Sequence, residues 1–289
     1  EQYVDNPYYF APAAEPMHDY ITPWQRDFQT QIGQNHANYF DQNGWLYFTK
    51  EVFDLFYPSY GDTYPMFNGA IGMTYEQAGN SSAGRAIITG NGDTLTLRDR
   101  IQHHLTTSRS TIEISSKNAQ KVVENFRNYY SRTAERPQGA YLSFVIRATN
   151  DPNKINTLCR LLDRHQIRYG SAGATGSGLK AFDYRGGKET SIDVQPNDLV
   201  ISAYQPHSVM TQVLFEPEHR LSDSLTYDIT AWALPYAYGL EAYALKQRLE
   251  PKRPFVPYKA PEVMLAASPY AWCVHRRSLA EAKFLGEIL

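Results

Sequence analysis

A two-domain α/β protein is what this sequence predicts. An amphipathic helix pattern sits among strand-like runs in the first half, and a strand-helix-strand run opens the second. Between them "SRTAERPQG" has the composition of a boundary. With 289 residues the chain is long enough for roughly two domains.

Composition narrows the function classes. Hydrophobic residues are 42% and charged residues 20%, as in an ordinary globular protein. The net charge of -2 supplies no basic surface for nucleic acid or an anionic membrane. No run of about 18 apolar residues exists. The best, "ITAWALPYAYGLEAYAL", is interrupted by Pro235 and Glu241. Tyrosine is abundant, with 22 against 13 Phe, and its apolar body with a polar tip suits clefts as well as cores.

The first twenty residues are aromatic and Pro-rich and read as an extended, ordered loop. Thr22 followed by Pro23 is a helix start. Trp24, Phe28, Ile32 and Phe40 share a stripe, His36 fills its remaining slot, and Asn43-Gly44 ends the helix. Residues 45–68 hold many turn signals, and Gly69–Tyr75 reads as a strand. "RAIITGNGDTLTL" places Asn91-Gly92 between two alternating runs, a hairpin signal. A helical pattern follows from Leu97 to about Tyr130, with Ile101, Leu105, Ile112, Val122, Val123 and Phe126 as its apolar positions. The polar "TTSRST" is where it would divide.

In the second half "AYLSFVI" is a strand, "DPNKINTLCRLLDRH" a helix with Leu158, Leu161 and Leu162 inward, and "IRYG" a strand. "GSAGATGSG" reads as a flexible surface loop, since it lacks the Gly-Lys-Ser/Thr ending of a phosphate loop. "NDLVISAY", "SVMTQVLF" and "YDITAWALP" supply further strands or a helix, and "PKRPFVPYKAPE" is a Pro-rich connector. "SPYAWCVHR" with "AKFLGEIL" echoes the opening strand and helix of this half, so the chain reads as part of a longer protein.

One residue invites a chemical reading. Glu76 follows the strand-like Gly69–Tyr75, and a carboxylate at the end of an apolar strand is costly unless paired, hydrated or used. It is either a solvated or ion-paired strand end, or a general base held at the rim of a sheet. Other candidates read as structural. His103 and His104, adjacent on a helix, face different directions and are expected to pack or lie at the surface. His207 is expected in a local hydrogen bond at a strand end. Cys159 and Cys273 lie in apolar stretches as free thiols. "NSS" at Asn80 accepts a glycan only in a eukaryotic secretory setting.

The segment "FYPSYGDTYPMFNGAIGMTYEQAG", Phe56 to Gly79, resembles the closing active-site segment of the zinc carboxypeptidases, the metallopeptidases related to pancreatic carboxypeptidase. In that family a tyrosine-bearing, Ser/Gly-rich loop leads through an aromatic stretch to a strand ending in Thr-aromatic-Glu. The resemblance implies that Tyr57 contacts substrate from a mobile loop. It also implies that Glu76, nineteen positions later, activates a zinc-bound water and then protonates the leaving amine. Thr63 and Tyr64 fall near the family's side-chain pocket. The larger block from "NPYYFAPAAEP" to "WLYFTKEVFDLFYPSYGDTYP" resembles a bacterial branch with an added α/β domain. The His-x-x-Glu that binds zinc in the family is missing here: His18 is followed at three by Ile21, and His165 by Arg168. No zinc ligand is assigned, and the ligands are expected upstream of Glu1.

The fold expectation is thus the C-terminal portion of a carboxypeptidase-like mixed sheet with helices over 1–135, then an accessory, amidotransferase-like α/β domain over 138–250. Residues 251–289 would form a connector and the start of a second strand-helix repeat. The expected activity is zinc-dependent hydrolysis of peptide or amide bonds near a free C-terminus, with a peptide as substrate. Family habit points to the periplasm or the exterior. An alternative is a metal-free carboxypeptidase scaffold that binds peptides, and an amidase acting on cell-wall peptides differs in substrate alone.

Overall fold

Thr22 accepts a hydrogen bond from the Gln25 amide, and the Gln25 side chain bonds back to the Thr22 amide. This capping box starts α1 (Pro23–Asn43), and Gly44, at φ 67°, closes it in the left-handed conformation. Phe28, Ile32, His36 and Phe40 are buried along the expected stripe. The computed structural model describes residues 8–79, 85–222, 232–259, 270–271 and 277–288. They separate into two compact units. One runs to Arg132 and takes in His219–Ser222; the other spans Thr133–Glu218 and the described residues from Trp232 onward.

In the first unit short strands surround α1. They are β1 (Tyr8–Tyr9), β2 (Ala14–Met17), β3 (Asp54–Leu55) and β4 (Glu76–Gln77), with the one-turn α2 (Thr63–Met66) between the last two. β1 pairs antiparallel with β4, and β2 parallel with β3. The described part of the opening aromatic stretch packs inward: Tyr8, Tyr9, Phe10 and Ala11 are buried, and Tyr8, Phe10 and Phe40 form a core cluster with Ala37. The hairpin forms as expected around Asn91-Gly92, as β5 (Ala86–Ile88) and β6 (Thr94–Thr96). Gly33 lets α1 touch the first strand region. A Cβ built there would stand 2.1 Å from the Ala11 carbonyl oxygen.

The long helical pattern divides, though not at "TTSRST". α3 (Leu97–Lys117) runs through that segment and stops at Asn118, before α4 (Ala119–Glu135). Hydroxyls in the segment bond back along the helix, Thr107 to the His103 carbonyl and Thr111 to the Thr107 carbonyl, so the polar run interrupts nothing. The face of α3 that turns inward is the polar one: His103, Thr107 and Ser110 are buried, while Leu97, Ile101, Leu105 and Ile112 are exposed.

The second unit carries β7 (Ser143–Ile146), α5 (Pro152–Arg164), β8 (Gly170–Ser171), β9 (Gly176–Asp183), β10 (Lys188–Val194), β11 (Leu199–Ser202), α6 (Ser208–Phe215), α7 (Leu234–Ala237), β12 (Ala242–Leu245) and α8 (Leu279–Ile288). The six strands form one sheet in the order β10-β9-β12-β7-β11-β8, antiparallel at every junction. The strand-helix-strand run β7-α5-β8 is present, but β11 sits between its two strands. The unit is therefore a mixture of helices and strands built on an antiparallel sheet. Side chains alternate across it: Val145, Val200, Leu245 and Ala181 share one buried cluster, and Phe144 meets Phe215 of α6. Leu158 and Leu162 of α5 are fully buried, and Leu161 is half-buried.

Two expectations fail locally. "GSAGATGSG" is no flexible loop, because it contributes β8 and the start of β9. The connector after Glu250 does not leave the unit at once. Arg253 bridges Ser171 of β8, and a Cβ at Gly170 would stand 2.5 Å from the Arg253 carbonyl oxygen. The strand of the expected second repeat falls largely outside the described residues. Among the described residues no helix is long and apolar enough to cross a membrane.

Asp198 anchors one end of this sheet. It is 2% exposed and accepts hydrogen bonds from Arg147 Nη1 (2.8 Å) and the amides of Ala148 and Gln195 (both 2.9 Å). Asp198→Ala is expected to cost about 1–3 kcal/mol in urea unfolding, since it leaves two backbone amides without their acceptor. Gly33→Ala is expected to cost about 1–3 kcal/mol by overpacking against the Ala11 carbonyl.

Candidate active site

The Tyr57 loop and the Glu76 strand meet at Asp62. Tyr57 follows β3 and is half-buried, its ring edge-on to Tyr60 at 5.5 Å. Asp62 precedes α2. Its carboxylate accepts from the Thr63 hydroxyl at 3.3 Å and from the Thr74 hydroxyl at 2.5 Å. Gly72 lies against the same residue, where a Cβ would stand 1.7 Å from the Asp62 carbonyl oxygen. A side chain at 72 would therefore push the loop away from the strand. Tyr64 is 37% exposed, whereas Thr63 is fully buried. Thr63 bonds to the Asp62 carboxylate from inside the fold, whereas the Tyr64 side chain reaches solvent.

The expected strand over Gly69–Tyr75 does not form. The glutamines of α1 occupy the carbonyls a ladder would use: Gln25 Nε2 donates to Met66 and Ala70, and Gln29 Nε2 to Gly72. Pairing begins only at Glu76, in β4, where Glu76 faces Tyr9 and Gln77 faces Tyr8. Glu76 is therefore inside a short strand and half-buried.

Helix α3 reaches the residues around Glu76. Tyr75 Oη meets Thr111 Oγ1 at 2.6 Å, and its ring stands edge-on to His36. His103 Nδ1 donates to Gln77 Oε1 at 2.8 Å. Tyr8 Oη lies 2.9 Å from both His104 Nδ1 and Thr107 Oγ1. His103 and His104 do face different directions, as their adjacency predicts, but each ends on one strand of the same ladder. The usable signal was polar recurrence at helical spacing, His103, Thr107, Ser110 and Thr111, a stripe that a search for apolar positions passes over.

Burial dominates the electrostatics. It pushes the Tyr8 phenol above its ordinary value; the Thr107 hydrogen bond opposes this, and the charges of Tyr75 and Glu76 add to it. Burial also lowers the His104 imidazole, against the pull of the Glu76 carboxylate. His36, whose Nδ1 lies 2.7 Å from Ser110 Oγ, is lowered by burial to about 4. His103 is likewise lowered to about 4, first by burial, with Asp99 opposing.

The remaining candidates stay apart from this site in sequence and role. His207 caps α6, its carbonyl accepting from Thr211. Burial pushes the Cys159 thiol up to about 12, which leaves it protonated and unreactive. Asn80 and Cys273 lie outside the described residues. Among the described residues no three His, Cys, Asp or Glu side chains gather as a metal site. No family model, curated protein or solved structure matches the chain.

The two lowered imidazoles fix a pH dependence. A histidine that titrates near 6.5 when unfolded and near 4 when folded favours the fold fully above pH 6.5, and that stability is lost as pH falls toward 4. Urea unfolding at pH 7.5 and pH 5 is expected to show a loss of about 2 kcal/mol for each of His36 and His103. Equal stability at the two pH values contradicts their neutral burial.

Proposed function

We propose that the first unit supplies the general base of a hydrolase acting on peptide or amide bonds near a free carboxyl end, and that the base is Glu76. The observation that carries this reading is the Asp62 junction. The Thr74 hydroxyl and Gly72 fasten the Tyr57–Tyr64 loop two to four residues before Glu76, so the loop and the carboxylate belong to one connected structure. The resemblance of Phe56–Gly79 to the closing segment of zinc carboxypeptidases supplies the chemistry.

In this reading the Glu76 carboxylate takes a proton from the attacking water and returns it to the leaving amine nitrogen. A half-buried carboxylate on a strand is suited to that work, since its backbone is held by the pairing with β1. The Tyr57 phenol donates to the substrate, and Tyr64, the exposed member of the α2 pair, meets its terminal side chain. The zinc that the resemblance implies finds no fit among the described residues. In this reading the protein works in the periplasm or outside the cell.

The test is Glu76→Gln in the natural full-length polypeptide, assayed on a short peptide with a free C-terminus alongside metal analysis. Hydrolysis is expected to fall by about 10²–10⁴-fold with the metal content and thermal melt unchanged. Wild-type turnover in the variant overturns the assignment. A full-length protein that binds such peptides with neither zinc nor turnover supports instead a peptide-binding scaffold.

A further inference from the structure

We propose that helix α3 is the positioning element for Glu76, acting through His103 and Thr111 on the two residues that flank it. The inference rests on the reading of Glu76 as a base. It answers a mechanical question that this reading raises: what holds the carboxylate still?

The ladder alone does not. Among the described residues β4 and β1 pair over only two positions, Glu76 with Tyr9 and Gln77 with Tyr8. Isolated two-stranded pairs are marginal even at several times that length. Yet both neighbours of Glu76 are fixed from the side. Tyr75 is tied to Thr111 and Gln77 to His103, so the side chains on either side of Glu76 are bonded to one helix. The opposite strand is bonded to that helix as well, through Tyr8 to His104 and Thr107. Four side-chain hydrogen bonds thus run from about two turns of α3 to a ladder of two residue pairs.

The helix is fit for the task. It is 21 residues long, begins with a Thr96–Asp99 capping box, and packs along α1, where Ser110 meets both Asn35 and His36. His103 is 4% exposed and Thr107 fully buried, so these bonds compete little with water. The His103 bond is directional: Gln77 Oε1 only accepts, so Nδ1 carries the proton. Burial keeps the imidazole neutral, and this bond sets its tautomer. A displacement of about 1 Å in a catalytic group can cost about 10²-fold in rate, so loosening either flank should be visible in turnover.

Three variants of the full-length polypeptide test this: His103→Leu, which removes the donor; His103→Asn, which returns an N–H close to the Nδ1 position; and Tyr75→Phe, which removes one hydroxyl. For His103→Leu and Tyr75→Phe, kcat is expected to fall about 10–100-fold with KM changed less than about 2-fold. Amide exchange at residues 75–78 should rise about 10-fold while exchange in the β5–β6 hairpin is unchanged. His103→Asn should recover most of both effects. Should His103→Leu fail to fold, Tyr75→Phe, a deletion of a single atom, carries the test.

If Glu76→Gln is inactive while these variants keep wild-type kcat, the positioning role is overturned and the base assignment stands. Faster exchange at 75–78 without any loss of kcat overturns it as well. If Glu76→Gln is itself fully active, both readings fall together.

Discussion

A buried layer of hydroxyl and imidazole groups joins α1, the β1–β4 pair and α3, and hydrogen bonds link its members from one element to the next. Tyr8 Oη is the hub, shared between His104 and Thr107. Ser110 serves His36 and Asn35, and Glu113 takes up Asn35 and Tyr39 at the layer's outer end. Groups of this kind are costly to bury alone and stabilising when each meets a partner. Aromatic rings close the layer off from water: Phe10, Phe40 and Trp45 stand against Tyr8, His36 and His103.

That choice of core has a counterpart on the outside. A helix that gives its polar stripe to the interior must show its aliphatic stripe to the exterior. Leu97, Ile101, Leu105 and Ile112 recur at helical spacing and are 46–70% exposed. Amphipathic patterning therefore located α3 correctly but misjudged which face is internal. The pattern records that one side differs from the other; hydrogen-bond partners on β1, β4 and α1 decide the orientation.

Other elements were legible for plain local reasons. Thr22, Pro23 and Gly44 bracket α1 because capping and left-handed closure are properties of those residue types. Asn91-Gly92 marks the hairpin because its turn needs positive φ, and Gly92 adopts 84°. What escaped depends on distant partners. Gly69–Tyr75 has strand composition, but Gln25 and Gln29, more than forty positions earlier, satisfy its carbonyls. The order of the second sheet was equally hidden, since β11 enters between β7 and β8 from a later part of the chain. Of the site, Glu76 and Tyr57 could be named from a contiguous segment. The histidines and threonines of α3 could not, because their role exists only across the contact between helix and ladder.

The six-stranded sheet ends differently at its two margins. β8 is shielded where Ser171 meets Arg253. At the far margin β10 pairs with β9 and displays Lys188, Glu189 and Asp193 to solvent, with Lys246 neutralising Glu189 at 2.7 Å. Any incoming strand would have to dehydrate that row of charges before its backbone could dock. Charges along an edge strand oppose the docking of a further strand, and a covered edge leaves no ladder to extend.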